Sequence, residues 1–430
     1  MRLLIRAGRV LDPHSGTDQQ LDVLVEDGRI ARIGFALPSE ADDIIDARGA
    51  WVIPGPIDMH VHLRQPGQEH KETVATGTRS AAAGGVTAVA CMANTRPPID
   101  NLSVLEYVRA VARREAVVEV HVVAAATKGL EGRELTEMGE LAQAGAVAFS
   151  DDGQAIADAS VMRSALLYAR QVGRPLIAHA VDPSLAQGGV MRESLASFRL
   201  GLAGIPAEAE SVMVARDVEL AAATGAHLHV AHVSTAAAVD HIRRARARGA
   251  RVTAEVTPHH LFLTCDALEG FDPSAKVNPP LGTEEDRQAL RQALADGTLD
   301  CVASDHAPHA PEEKEVELDE APFGAVGLET LLPLVLGGLV EEGVLTPLQA
   351  VRVITLNPAR VLGLAGAGRL EVGARADITV FDPARRWVVD PARLHSRSRN
   401  TPFAGWSLKG KAVATIVGGR PVMREGELVV

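Results

Sequence analysis

Two histidines stand one residue apart, at His60 and His62. On a strand, side chains at i and i+2 share a face, so both imidazoles can reach one point. Neutral imidazole is a good ligand for Zn²⁺ and similar ions, and carboxylates complete such a shell. Asp151 and Asp152, His179, His232, and Asp305 with His306 offer further donors along the chain. A second ion needs imidazoles of its own, which His179 and His232 supply, and a carboxylate between the two sets can bridge the ions. Two metals roughly 3.5–4 Å apart polarise a carbonyl and generate hydroxide at neutral pH. Taken singly, each residue has a plainer role. An isolated HxH arises by chance, and His179 and His232 could be hydrogen-bonded core histidines, as His227 and His229 are read. Asp151-Asp152-Gly153 is turn chemistry, and Asp305 could cap a helix.

Their placement on elements argues for the joint reading. Eight short runs read as strands: Val52–Asp58, Val86–Met92, Glu119–Ala124, Ala146–Phe149, Pro175–Ala178, His227–Ala231, Arg251–Glu255 and Asp300–Ala303. Amphipathic stretches lie between several of them, at Thr73–Ala83, Asn101–Arg114, Ala159–Val172, Ala207–Thr224, Ala236–Ala247 and Glu284–Ala295. This alternation implies parallel βαβ units, and eight of them fit an α/β fold of the (β/α)₈ barrel type better than an open sheet. In such barrels the site lies at the C-terminal ends of the strands. His60 and His62 end the first strand, Asn94 lies near the end of the second, Asp151-Asp152 of the fourth, His179 of the fifth, His232 of the sixth and Asp305-His306 of the eighth. One mouth would gather them all.

Both ends of the chain read differently. Leu3–Arg6, Asp22–Val25 and Ile30–Ile33, then Asp377–Phe381 and Ala412–Val417, are β segments with turns between them. Glu26-Asp27-Gly28 is a hairpin turn, because Asp-Gly suits positive φ. We expect a small β-sandwich from residues 1–53 and 366–430 beside a barrel of residues 54–365.

Composition excludes several classes. With 43 basic against 55 acidic residues, a net charge of −12 offers no basic field for nucleic acid. An anionic substrate would need local cations. Cys91, Cys265 and Cys301 form no CxxC pair, and neither GxGxxG after the first strand nor GxxxxGK[ST] occurs. No apolar run reaches membrane-spanning length and no signal-like h-region opens the chain, so a cytoplasmic location is expected.

The segment Pro54-Gly55-Pro56-Ile57-Asp58-Met59-His60-Val61-His62-Leu63-Arg64 resembles the first-strand motif of the amidohydrolase superfamily, and His62-Leu63-Arg64-Gln65-Pro66-Gly67 resembles its dihydroorotase version. Met92-Ala93-Asn94-Thr95-Arg96-Pro97 is similar to that family's MPNTRP segment. Ser150–Gly153, Ala178-His179, Ala231–Ser234, Glu255–His260, Asn278–Leu281, Ser304–His309 and Pro322–Gly324 fit in order. Gln65 and Ala93 depart from the usual Glu and Pro. The resemblance implies a two-metal cyclic-amide hydrolase, with zinc as the default ion. His60, His62 and Asp305 would hold one ion, and His179 and His232 the other. No lysine ends the fourth strand, so the chain is similar to the bacterial subgroup in which an aspartate replaces a bridging carboxylated lysine, here Asp152 rather than Asp151. Asp305 would be the general base and acid. Arg64, Asn94 and His309, with the metal ligand His62 beside them, would meet the substrate's exocyclic carboxylate, while Asn278, Phe323 and Gly324 border the ring.

Such enzymes interconvert N-carbamoyl-L-aspartate and dihydroorotate in pyrimidine biosynthesis. The resemblance further implies a homodimer, and allows a complex with aspartate transcarbamoylase. The rivals are a hydantoinase, dihydropyrimidinase or allantoinase, which typically use the modified lysine, and a non-catalytic partner of the transcarbamoylase, which would lose metal ligands. The acidic run Pro311–Glu320 follows strand eight and is either a solvated loop or a lid.

Overall fold

The computed structural model describes residues 2–38 and 40–429. Eight parallel strands line up in chain order: β1 (Ile57–Val61), β2 (Ala88–Cys91), β3 (Glu119–Ala124), β4 (Ala146–Ser150), β5 (Leu176–Ala178), β6 (Leu228–Val230), β7 (Val252–Val256) and β8 (Cys301–Val302). The barrel is nearly closed. Between β8 and β1 the seam is a single bridge, Val61 to His306, with the His62 N–H donating to the His306 carbonyl at 2.9 Å. Buried Asp58 reinforces it by accepting the Ser304 N–H at 3.1 Å. Small side chains (Ala90, Ala148, Ala231, Cys301 and Ala303) alternate in the interior cluster with larger ones, among them Met59, Met92, Val123 and Ile177, which together fill the narrow space inside eight strands. The three cysteines are buried and free.

The six expected helices form within a residue or two of their sequence limits, and five of their starts carry local capping chemistry, Glu208–Thr224 being the exception. Thr73 and Thr76 make a reciprocal box before Val74–Gly84, as do Thr283 and Asp286 before Glu284–Ala295. The side chains of Asn101, Asp158 and Thr235 accept first-turn N–H groups of three others. No helix among the described residues is long and apolar enough to cross a membrane.

Both termini build one nine-stranded sheet, which folds over a core of its own containing Leu3, Val23, Ile30, Val52, Ile378 and Ile416. At its centre lies Trp51–Pro54, parallel to the first strand at Arg9-Val10 and antiparallel to Ile378–Phe381. The expected single strand Val52–Asp58 is therefore two strands in two sheets. Gly55-Pro56 breaks the apolar run: Pro56 has no N–H for a ladder, and Gly55 is wedged so tightly that a Cβ would lie 2.2 Å from Thr87 Oγ1. The Asp27-Gly28 turn forms with both φ angles positive, at 49° and 78°. Two hydroxyls tie the sheet to the barrel: Thr379 and Thr415 donate to the Gly85 and Ala82 carbonyls at the end of helix Val74–Gly84, each at 2.7 Å.

The acidic run beyond β8 is tied down from below. Lys314 and Leu318 are buried while Glu312, Glu315, Glu317 and Glu320 face solvent. Lys314 Nζ donates to the Pro273 and Pro322 carbonyls (2.8 and 2.7 Å), and Lys276 Nζ donates to those of Leu318 and Asp319 (2.7 and 3.1 Å). Glu313 turns inward to Lys71 at 2.9 Å. Lys314→Met removes two of these tethers, each worth about 1–1.5 kcal/mol. Amides of 311–322 should then exchange with solvent roughly tenfold faster or more by hydrogen-exchange mass spectrometry, with little change in the barrel strands.

Candidate metal centre and active site

His60 lies within β1, and His62 follows its end. Asp152 follows β4, His179 follows β5, His232 lies just beyond β6 and Asp305 just beyond β8. All six side chains are nearly or fully buried, and the barrel mouth brings them together. Asp152 is central. Its Oδ1 is 3.3 Å from His60 Nε2, 3.4 Å from His232 Nε2 and 3.5 Å from His179 Nδ1, while its Oδ2 is 3.5 Å from His62 Nε2. Asp305 Oδ1 stands 3.1 Å from His62 Nε2 and 3.7 Å from His60 Nε2. Two groups of donor atoms lie within 4.8 Å of one another and could each hold an ion: His60, His62 and Asp305, and His60, Asp152 and His232. His179 Nδ1 adjoins the second group, 2.9 Å from His232 Nε2.

The neighbouring Asp151 turns away. Its Oδ1 accepts the Ala126 and Thr127 N–H groups, both at 2.9 Å, and its Oδ2 accepts the Thr127 hydroxyl. It anchors the loop after β3, because adjacent residues of extended chain face opposite ways.

A histidine that offers one nitrogen to a metal needs the other held. His60 Nδ1 donates to buried Glu255 at 2.6 Å, which leaves Nε2 facing Asp152 with no hydrogen-bond partner. His62 Nδ1 donates to Asn94 Oδ1 at 2.8 Å. His179 Nε2 lies 3.2 Å from the Asn278 amide nitrogen, whose Oδ1 is buried without a partner. Rotating that amide by 180° makes Asn278 an acceptor for His179 Nε2–H and frees Nδ1 toward Asp152. The residues thus fit a metal: soft nitrogens and hard oxygens converge, and His60 Nε2 is buried with nothing else to bind.

The electrostatics agree. Burial opposes charge on Asp152, but His60 and hydrogen bonds from His179 and His232 outweigh it and hold its carboxyl well below the usual range. Asp305 is likewise held low despite its burial, by His62 and His60. Burial disfavours a charged His60, yet Asp152 and Glu255 raise its pKa well above the ordinary value. The pocket therefore carries a surplus of negative charge that attracts protons or cations. Of the nine non-glycine residues with positive φ among those described, three lie here: Arg64 (61°), His232 (35°) and Asp305 (46°). Strained backbone of this kind concentrates at functional sites.

The expected substrate contacts lie beside this cluster, and most already engage the protein. Asn94 bridges two candidate ligands, since its Nδ2 also donates to the Asp152 carbonyl at 3.2 Å. Arg64 is buried and donates through Nε to the Pro308 carbonyl at 3.1 Å; burial lowers its pKa to about 10, so it stays cationic at neutral pH. His309 Nε2 donates to the Phe323 carbonyl at 2.9 Å, so Arg64 Nη2, 3.4 Å from that nitrogen, is a neighbour rather than a donor to it. Burial and then Arg64 push His309 down to about 3, which makes it neutral. Gly324 has φ 134°, and a Cβ there would lie 2.8 Å from that of Ala307, so no larger residue fits. Sequence reasoning gave no role to Glu255 or to His259, which is buried with an unpartnered Nε2. A carboxylate within a run expected to face a barrel interior was the available signal for Glu255.

The amidohydrolase family profile matches residues 51–422. A dihydroorotase of Pelotomaculum thermopropionicum is 56% identical over 425 residues, covering 99% of each chain. A dihydroorotase of Syntrophotalea carbinolica is 53% identical over 424 residues, again covering 99% of each. Among solved structures, the L-hydantoinase (dihydropyrimidinase) of Arthrobacter aurescens superposes with a TM-score of 0.91 at 28% identity, covering 100% of this chain and 97% of that one. The profile and these full-length relatives decide the family: the chain belongs to the amidohydrolases and, within them, to the dihydroorotases.

Proposed function

We propose that this enzyme interconverts N-carbamoyl-L-aspartate and L-dihydroorotate, the ring-closing step of pyrimidine synthesis, at a centre of two divalent ions. The observation that carries the reading is Asp152, whose carboxylate lies within 3.5 Å of all four site imidazoles. His60, His62 and Asp305 would hold one ion and His179 and His232 the other, with Asp152 between them; the nitrogen-rich donor set favours zinc. When bound, the pair supplies Lewis acidity at the scissile carbonyl and acidifies water.

The protein's own groups do the rest. Asp305, kept ionised, accepts a proton from the attacking water and returns it to the departing ring nitrogen. In ring closure it removes the ureido proton as the nitrogen bonds to the carbon of the protonated side-chain carboxyl, and returns that proton to the departing hydroxyl, which leaves as water. Arg64 offers a buried guanidinium fork for the exocyclic carboxylate, which a plain hydantoin lacks. That cation distinguishes the present reading from a hydantoinase.

Metal-stripped protein should be inactive in both directions, and zinc should restore turnover; a stripped protein with full activity would sink the reading. Arg64→Met should lower kcat/KM for dihydroorotate by roughly 100-fold or more, from loss of a buried charged pair, while metal content stays at the wild-type level. Equal turnover of hydantoin and dihydroorotate by the wild type would instead support the hydantoinase alternative. The two adjacent aspartates should separate cleanly. Asp152→Ala should lose metal, whereas Asp151→Ala should keep it and lose about 1–3 kcal/mol of stability in urea titrations, because it leaves buried donors unpaired.

A further inference from the structure

We propose that Glu255 is a positioning residue of the metal centre: it fixes the tautomer of His60, and is itself held by a hydrogen-bonded column that runs down the barrel interior through His229 and Thr253 to His227. The proposal rests on the metal reading above.

The column follows from β6 and β7 lying side by side, with His229 and Thr253 in register. His227 Nε2 is 2.8 Å from Thr253 Oγ1, which is 2.9 Å from His229 Nδ1. His229 Nε2 is 3.3 Å from Glu255 Oε2, and Glu255 Oε1 is 2.6 Å from His60 Nδ1. Glu255 and His229 are fully buried, while His227 at the far end is partly buried.

One charge sets the direction of every bond. An ionised carboxylate accepts only, so both imidazoles must donate to it, His60 through Nδ1–H and His229 through Nε2–H. With its Nε2–H committed to Glu255, His229 presents Nδ1 to the Thr253 hydroxyl, which donates to it. The Thr253 oxygen in turn accepts His227 Nε2–H. The protons of the column all point toward Glu255, and His60, with Nδ1–H committed there, presents Nε2 to Asp152 as the nitrogen that would meet the ion. Nothing in this arrangement touches substrate, so Glu255 acts through His60.

Glu255→Gln tests this with little change of shape. An amide presents one acceptor and one donor, so it cannot accept from both imidazoles. Wild-type, Glu255→Gln and Thr253→Val proteins are stripped, then titrated with zinc against a competing chelator, and the zinc-loaded forms are examined by proton NMR with ¹⁵N-histidine labelling. The glutamine variant should bind one zinc 10- to 100-fold more weakly, with the other within about threefold of wild type. It should also lose or shift the deshielded Nδ1–H resonance of His60. Thr253→Val, which cuts the column one step lower, should weaken the same zinc by a smaller factor and needs no buried charge removed, so it serves if the first variant does not fold. Unchanged affinity for both ions together with an unchanged His60 resonance overturns the proposal, as does equal weakening of both. Wild-type protein that takes up no zinc sinks the metal reading itself, a different failure from a wild type that binds while the variants match it.

Discussion

An imidazole has two nitrogens, and a metal site can use only one of them. That constraint shapes the barrel mouth more than any other. Three of the four candidate ligand rings have the outer nitrogen beside a side chain from a different part of the chain: Glu255 of β7 for His60, Asn94 beyond β2 for His62, Asn278 for His179; His232 Nδ1 is buried without a partner. Elements that supply no ligand are thereby committed to the site. Asn94 does this twice, since it also holds the backbone at Asp152.

The fold meets this need with little regular structure. β8 has two residues and β5 and β6 three each, yet their ends define the positions of Asp305, His179 and His232. Precision comes from burial on both faces and from the seam, where Asp58 and the His62–His306 backbone bond draw the last strand onto the first. That seam brings together His62 and Asp305, which are 243 positions apart. The terminal sheet lies against the first barrel helix, whose final carbonyls it caps through Thr379 and Thr415.

Much of this was legible from residue types alone, for local reasons. Helix limits were readable because caps such as Thr73 and Thr283 sit within four residues of what they cap. The donor residues were readable because imidazoles and carboxylates at strand ends have few other reasons to recur. Three points were not settled by residue types. Val52–Asp58 is apolar nearly throughout; Pro56, which cannot join a ladder, was the one sign of a break, and the tight seat of Gly55 against Thr87 fixes where one sheet stops and another starts. Glu255 is an ordinary carboxylate until the barrel places it against His60, 195 residues away. Alternation says that Asp151 and Asp152 face opposite ways, but not which one faces inward; the loop after β3 decides that by claiming Asp151.

The strand Trp51–Pro54 has a kinetic consequence. One of its edges pairs with Arg9-Val10, a few tens of residues upstream, but the other waits for Ile378–Phe381. At a synthesis rate of about 5–20 residues per second, the nascent chain carries that apolar edge unpaired for on the order of tens of seconds. Unpaired edges of this kind template association with other chains. The whole barrel lies between the two halves of the sheet in sequence, so the sheet is completed last. Its closure is a long-range, high-contact-order event, of the sort that sets the pace of folding. Conditions that slow synthesis or crowd nascent chains should therefore act first on the terminal sheet and only afterwards on the barrel that holds the metal ligands.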